Sequence, residues 1–407
     1  MITYKYIGGG VTAPKGFKAN GIHAGIRKNK LKKDLALIVS DVKCASAAVY
    51  TQNLVKGAPL IVTKKHLADG YAQAVICNSG NANTCNANGI EVAIEMSALV
   101  EKYAGISKND VIVASTGVIG QPLDVTPIAN GMESLVNGLS LDGGRDAAQA
   151  MMTTDTMLKE VCVEFELGGK TCRIGGIAKG SGMIHPNMAT MLVFVTTDVS
   201  ITPQMLQKVV STDVVDSFNM ISVDGDTSTN DMLCVMASGL AENAIIDTEN
   251  DDYKAFAKAF NAVTVALCRK IAGDGEGATK LLECAVSGAE TKDIARKVAK
   301  SVITSSLLKA AMFGADANWG RVLCAIGYSG QDIDVDKIDV SFKSSQGIIS
   351  VCENGRGIDF SEEVAKKILL ENEVIINVNL NSGSQKATAW GCDLTYEYVK
   401  INGDYRT

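Results

Sequence analysis

The chain has 407 residues, of which 46% are hydrophobic and 21% charged, and its formal net charge is -6. That length suffices for two or three domains with a substantial core, the composition excludes disorder, and the acidic balance argues against a nucleic-acid partner. No apolar run approaches the ~18 residues of a membrane helix, and the start, Met1 to Ile7, lacks the layout of a secretory signal, so a cytoplasmic protein with no membrane partner is expected.

In chain order, Leu35 to Val42, Ala58 to Val62, Gln73 to Cys77 and Val111 to Ala114 are rich in Val, Ile and Leu between turn residues, and each is predicted as a strand. A helix is predicted from Gly89 to Tyr103. Glu160 to Leu167 and Thr171 to Ile177 flank Gly168-Gly169-Lys170 and read as a hairpin. Met191 to Thr197 is a continuous apolar run, the pattern of a strand buried on both faces. Tyr253, Phe256, Phe260, Val263, Leu267 and Ile271 recur at three- and four-residue spacing and define one face of a long helix ending at Gly273. The last third adds helices near Thr291 to Ser305 and Ser361 to Leu370, and strands near Val322 to Ile326, Gly347 to Cys352 and Val374 to Val378. Strands and helices thus alternate irregularly, and no glycine-rich dinucleotide turn follows the first strand, which points to an α+β fold of layered sheets and helices.

Eleven cysteines without framework-like spacing read as reduced, mostly buried small hydrophobes. Cys77 and Cys85 are not a C-x-x-C pair, and His23, His66 and His185 are far apart, so neither a metal nor another cofactor is expected.

The most unusual local composition is Lys179-Gly180-Ser181-Gly182-Met183-Ile184-His185-Pro186-Asn187-Met188-Ala189-Thr190-Met191-Leu192. A Gly-rich, Pro-containing loop here enters an apolar strand whose first residue is a threonine. Such a loop can bend a peptide carbonyl towards a neighbouring hydroxyl. If the bond before Thr190 breaks, the freed α-amine, with a reference pKa of about 8, becomes a base on the same residue as the hydroxyl. Turn chemistry accounts for the same residue types without catalysis, so local composition alone leaves both readings open.

This segment resembles the processing-site signature of the ornithine acetyltransferases of the ArgJ family, which cleave themselves before that threonine. The resemblance continues through Ala114-Ser115-Thr116-Gly117-Val118-Ile119-Gly120, Met152-Thr153-Thr154-Asp155-Thr156, Ser222-Val223-Asp224-Gly225-Asp226-Thr227-Ser228-Thr229-Asn230-Asp231, Gly273-Asp274-Gly275-Glu276-Gly277-Ala278-Thr279-Lys280 and the ending Ile401 to Thr407. It implies a layered αββα sandwich shared with self-processing aminopeptidases, followed by a smaller α/β C-terminal domain, with about 1–284 as the main catalytic domain and about 285–407 as the second. It also implies cleavage between Ala189 and Thr190 into an α chain, 1–189, and a β chain, 190–407, assembling as an α2β2 heterotetramer.

The same resemblance implies site roles. Thr116 and Gly117 would form the oxyanion hole, where glycine after an apolar strand would otherwise serve only a tight turn. Lys179 would bind substrate rather than act as a solvated surface charge, and Thr153, or its neighbour Thr154, would contact substrate. Gly273 to Lys280 lacks the Gly-Lys-Ser/Thr of a phosphate loop, and Glu276 would repel phosphate; a carboxylate in a glycine-rich turn suits a cationic amine, and the resemblance assigns Glu276 to substrate binding. Asn402 and Thr407, ordinarily a frayed tail, would reach the substrate site. Asp224, Asp226 and Asn230 lack the glycine and glutamate of a calcium loop and are expected to cap and cross-link turns. His185 is expected to be a bystander.

The implied activity is ping-pong transfer of acetyl from N-acetylornithine to glutamate through acetyl-Thr190, with acetyl-CoA as a further donor in some members. The rival readings are a self-processing amidase or aminopeptidase in which water resolves the acyl-enzyme, and an unprocessed binding protein using the same pocket.

Overall fold

The computed structural model describes residues 3–185 and 191–403, and within it the chain forms two units. The first takes the chain up to Gly180, the stretch that ends at Val215, and Thr227–Leu267; the second takes the segment from Ser181, then Asp216–Asp226, and the chain from Cys268 onwards.

In the first unit, nine strands among the described residues make one mixed sheet. Their order is Tyr4–Ile7, Lys159–Leu167, Lys170–Lys179, Leu192–Thr197, Met232–Ala237, Leu35–Tyr50, Tyr71–Asn81 and Val111–Val118, with Phe17–Ile22 paired to Leu35–Tyr50 as a branch. The 16-residue strand Leu35–Tyr50 links two halves: its start pairs with Tyr71–Asn81 and its end with Met232–Ala237, and its register with the former shifts between Val39 and Cys44.

Period-two alternation decides which side chains meet which layer. Leu35, Leu37, Ala74, Ile76, Val111 and Val113 face the helices Gly89–Ala104 and Thr126–Asn137, packing on Val92, Met96, Ile128 and Met132. Ala36, Ile38, Val75 and Ile112 face the other way, into a core shared with Ile177, Phe194 and Cys234 of the second half. On the far side of that half, a side chain added at Gly176 would meet Val263 and Leu267 of the helix Asp251–Gly273. Helix, sheet, sheet and helix therefore stack in turn, an α+β αββα sandwich as expected.

The second unit carries a seven-stranded sheet among the described residues, with Leu281–Ala289 between Glu373–Asn379 and Gln385–Cys392 and the short strand Ile221–Ser222 at its edge. The helix Lys292–Thr304 covers it through Val298, Ala299, Val302 and Ile303, all buried.

Two predicted strands are helices. Ala58 to Val62 lies in the helix Ala58–His66, where Pro59 occupies the first turn at no cost in hydrogen bonds, because the first amides of a helix have no intrahelical partner. Val322 to Ile326 lies in the helix Trp319–Gly327, which Asn318 caps by accepting from the Arg321 N–H and which buries Val322, Ala325 and Ile326. A short apolar run fits a buried helix as well as a strand; the signals that separate them are Pro59 in the first turn of one helix and the Asn318 cap of the other. The hairpin, the strand starting at Leu192 and the helices from Gly89, Asp251, Lys292 and Glu362 follow the predicted pattern. Nine of the eleven cysteines are buried, and all are free. No helix of the described residues is long and apolar enough to cross a membrane.

Candidate active site

Parallel pairing of Tyr71–Asn81 with Val111–Val118 continues past the sheet's regular part, setting Ser79 opposite Thr116 and Gly80 opposite Gly117 before the register slips at Asn81. Thr116 is buried, and its hydroxyl bonds to no described residue. Gly117 has φ +134°, and a Cβ there would stand 2.3 Å from the Gly80 carbonyl carbon. Only glycine fits such a position, so the backbone N–H at 117 is held in an orientation that no side-chain-bearing residue would take up.

In the same unit, Lys179 ends the strand Lys170–Lys179 opposite Leu192, which in turn pairs with Met232; the Met232 N–H donates to the Met191 carbonyl at 2.8 Å. Thr190, Ala189 and Thr407 lie outside the described residues. Thr153 and Lys179 are brought together by a residue that sequence reasoning left without a role. Asp155 accepts from the Thr153 N–H at 2.9 Å, from the Gly180 N–H at 2.7 Å and from Lys159 Nζ at 2.7 Å, with the Asp155 and Lys159 side chains wholly buried. Burial opposes the charge on Asp155, yet the ammonium groups of Lys159 and Lys179 hold its carboxyl well below the usual carboxylate range. The available signal was the four-residue spacing of Asp155 and Lys159. Thr154 is half-buried beside Thr153.

In the second unit, Glu276 is buried and accepts from Asn402 Nδ2 at 2.8 Å, so two of the predicted substrate residues touch each other. Its N–H donates to the Ser181 carbonyl at 2.9 Å, while the Ser181 hydroxyl donates to the Asp274 carbonyl at 2.7 Å. A Cβ on Gly182 would lie 2.3 Å from the Glu276 carboxyl carbon, which explains why the loop needs glycine there. Asp224 takes the Met183 N–H at 2.6 Å, the Ile184 N–H at 2.9 Å and the Asp226 N–H at 3.1 Å. It cross-links turns as expected, and the turn it fixes is the one leading towards Ala189. His185 Nδ1 stands 3.1 Å from Ser222 Oγ; burial, with the nearby Lys300 charge, lowers its pKa to about 4.

Among the described residues, no cluster of His, Cys, Asp and Glu has the arrangement of a metal site. Burial pushes the Cys77 thiol up to about 12 and the Cys44 thiol likewise to about 12, so neither supplies a thiolate at neutral pH. The first unit offers a glycine N–H and a hydroxyl at a strand end, groups of the kind that receive a developing oxyanion, and an ammonium group opposite Leu192. The second unit, by itself, offers a buried carboxylate in a glycine-rich turn.

A model of the ArgJ family matches residues 18–407. The arginine biosynthesis bifunctional protein ArgJ of Caldanaerobacter subterraneus subsp. tengcongensis is 51% identical over 400 residues, covering 98% of this chain and 99% of the relative. That of Symbiobacterium thermophilum is 51% identical over 405 residues, covering 99% and 100%. The crystal structure of the arginine biosynthesis bifunctional protein ArgJ from Bacillus halodurans is similar at 48% identity and a TM-score of 0.50, over 52% of this chain and 97% of that one. With half its residues identical over almost its entire length, the chain belongs to the ArgJ family and is an acyltransferase of arginine biosynthesis.

Proposed function

We propose that the chain cuts itself between Ala189 and Thr190 and then acts as a glutamate N-acetyltransferase in the cytoplasm, carrying acetyl on Thr190. In processing, the Thr190 hydroxyl attacks the Ala189 carbonyl, the acyl group moves from nitrogen to oxygen, and water hydrolyses the ester. The freed α-amine then takes the hydroxyl proton as Thr190 attacks the acetyl carbonyl of N-acetylornithine. Thr116 Oγ1–H and Gly117 N–H donate to the oxyanion, and collapse expels ornithine with the proton on its α-nitrogen. Glutamate attacks the ester through its α-amine and leaves as N-acetylglutamate.

In this reading Lys179 binds a substrate carboxylate and Glu276 the side-chain ammonium of ornithine, while Thr153, Asn402 and Thr407 complete the substrate site. The curated relatives are called bifunctional, and we extend this to acetyl-CoA as a second donor. The two fragments, 1–189 and 190–407, are proposed to assemble as an α2β2 heterotetramer.

The observation that carries the mechanism is the enforced backbone at Gly117 beside Thr116, because an N–H and a hydroxyl at one strand end are what a developing oxyanion requires. The test is a product assay with N-acetylornithine and glutamate. Double-reciprocal plots should be parallel, and each N-acetylglutamate should appear with one ornithine. Acetate released at the full rate without glutamate would instead make the enzyme a hydrolase.

A further inference from the structure

Asn230 is buried, 6% exposed, and all four hydrogen-bonding positions of its amide are filled. Nδ2 donates to the Ala82 carbonyl at 2.5 Å and to the Ser115 carbonyl at 3.0 Å. Oδ1 accepts from Thr84 Oγ1 and from Thr229 Oγ1, each at 2.6 Å. Carbonyl oxygens can only accept, so the amide has one possible orientation.

Of the two carbonyls it grips, one directly precedes Thr116 and the other belongs to a residue whose N–H bonds beyond Gly117. Ser115 precedes Thr116 and shares a peptide unit with it, so anchoring the Ser115 oxygen fixes the plane that leads into Thr116. Ala82 reaches the other side: its N–H donates to the Val118 carbonyl at 2.9 Å, one residue beyond Gly117. Thr84, whose hydroxyl contacts Asn230, accepts from the Gly120 N–H at 3.0 Å through its own carbonyl. The Asn230 side chain therefore ties the loop 82–84 to Ser115 on one side of the dipeptide, and the backbone of that same loop bonds to Val118 and Gly120 on the other, around a left-handed glycine that needs external support.

We infer that Asn230 is a positioning residue for acyl transfer, holding Thr116 and Gly117 in the geometry that receives the oxyanion. It does not touch substrate. The inference rests on the oxyanion role proposed for Thr116 and Gly117. It predicts a signature that a purely structural cross-link would not give, because a support for the oxyanion acts in the transition state and leaves ground-state binding intact.

The test compares wild type with Asn230→Ala, each as the cleaved full-length assembly, well below the unfolding midpoint of both. Steady-state kinetics are read alongside single-turnover acetylation of Thr190 by intact mass. The expected result is a kcat about ten- to a hundredfold lower, below the hundred- to thousandfold typical of deleting a donor outright, with KM for N-acetylornithine within about threefold and acetylation slowed by the same factor as kcat. A wild-type kcat, or a loss residing in KM, would overturn the inference. Should Asn230→Ala fail to fold, Thr84→Val decides: it removes one hydroxyl from the Asn230 oxygen and should lower kcat by about three- to tenfold, whereas an unchanged kcat overturns the inference. A wild-type enzyme that never carries acetyl on Thr190 overturns the parent reading together with this one. Wild-type acylation with unaltered variant kinetics overturns this one alone.

Discussion

A threonine hydroxyl attacks an amide only with a base beside it and a place for charge to go, and residue-scale features of this chain bear on both needs. His185 stays neutral above about pH 4, since burial and the Lys300 charge disfavour its protonated form. The acidic limb of the pH profile of kcat/KM, where activity is lost as the amine becomes protonated, is therefore expected near the α-amine value of about 8, and His185→Gln should leave it in place; a limb that moves with that substitution would make His185 the base. At the charge-receiving end, Gly117→Ala would place a methyl 2.3 Å from the Gly80 carbonyl carbon at φ +134°. Loss of kcat by about a hundredfold or more is expected, measured as N-acetylglutamate formed per cleaved enzyme. Asp155 and Lys159 answer a different question, that of stability. Removing one partner of a buried pair leaves an uncompensated charge, so Lys159→Met should cost about 3–5 kcal/mol in chemical denaturation. Because the folded Asp155 pKa lies below its unfolded value, its contribution is present above about pH 4 and fades as pH falls through the folded value; Lys159→Met should blunt that acid limb.

At the scale of elements, the segment 222–231 does more than cap turns. Its Asp224 holds the amides of Met183 and Ile184, with Met183 in a left-handed conformation at φ +55°. Asp224→Asn keeps the shape and removes the charge, so hydrogen bonds to a charged acceptor become neutral ones. Self-cleavage of the precursor should slow by about tenfold, followed as disappearance of the full-length band, and an unchanged rate would detach this turn from processing. The elements themselves were legible where periodicity ran long: the helix Asp251–Gly273 and the hairpin around Gly168-Gly169 stand where Phe256, Phe260, Val263 and the double glycine put them. Periodicity failed for Ala58 to Val62 and Val322 to Ile326, because five apolar residues satisfy a buried helix and a buried strand equally.

At the scale of the whole molecule, the irregular alternation of strands and helices pointed to layered α+β architecture, and the alternation of Leu35, Leu37 and Ala36, Ile38 onto opposite layers is its physical basis. The site was less legible. Glu276 and Lys179 stood out only through resemblance, since a carboxylate or an ammonium looks the same in sequence whether solvated or buried. Asp155 and Asn230 drew no functional reading because their roles depend on Gly180 and Ser115, partners 25 and 115 residues away. Short-range pattern cannot encode such contacts.

The claim on which every catalytic step depends is that the Ala189–Thr190 bond is broken and Thr190 then carries acetyl. Intact-mass spectrometry of the purified protein, with and without N-acetylornithine, tests it directly. Two fragments corresponding to 1–189 and 190–407 are predicted, the second gaining one acetyl group with the donor, and Thr190→Ala is predicted to abolish both the split and the adduct. A single full-length mass that persists in active enzyme, or an acetyl group that maps to a residue other than Thr190, would contradict the account.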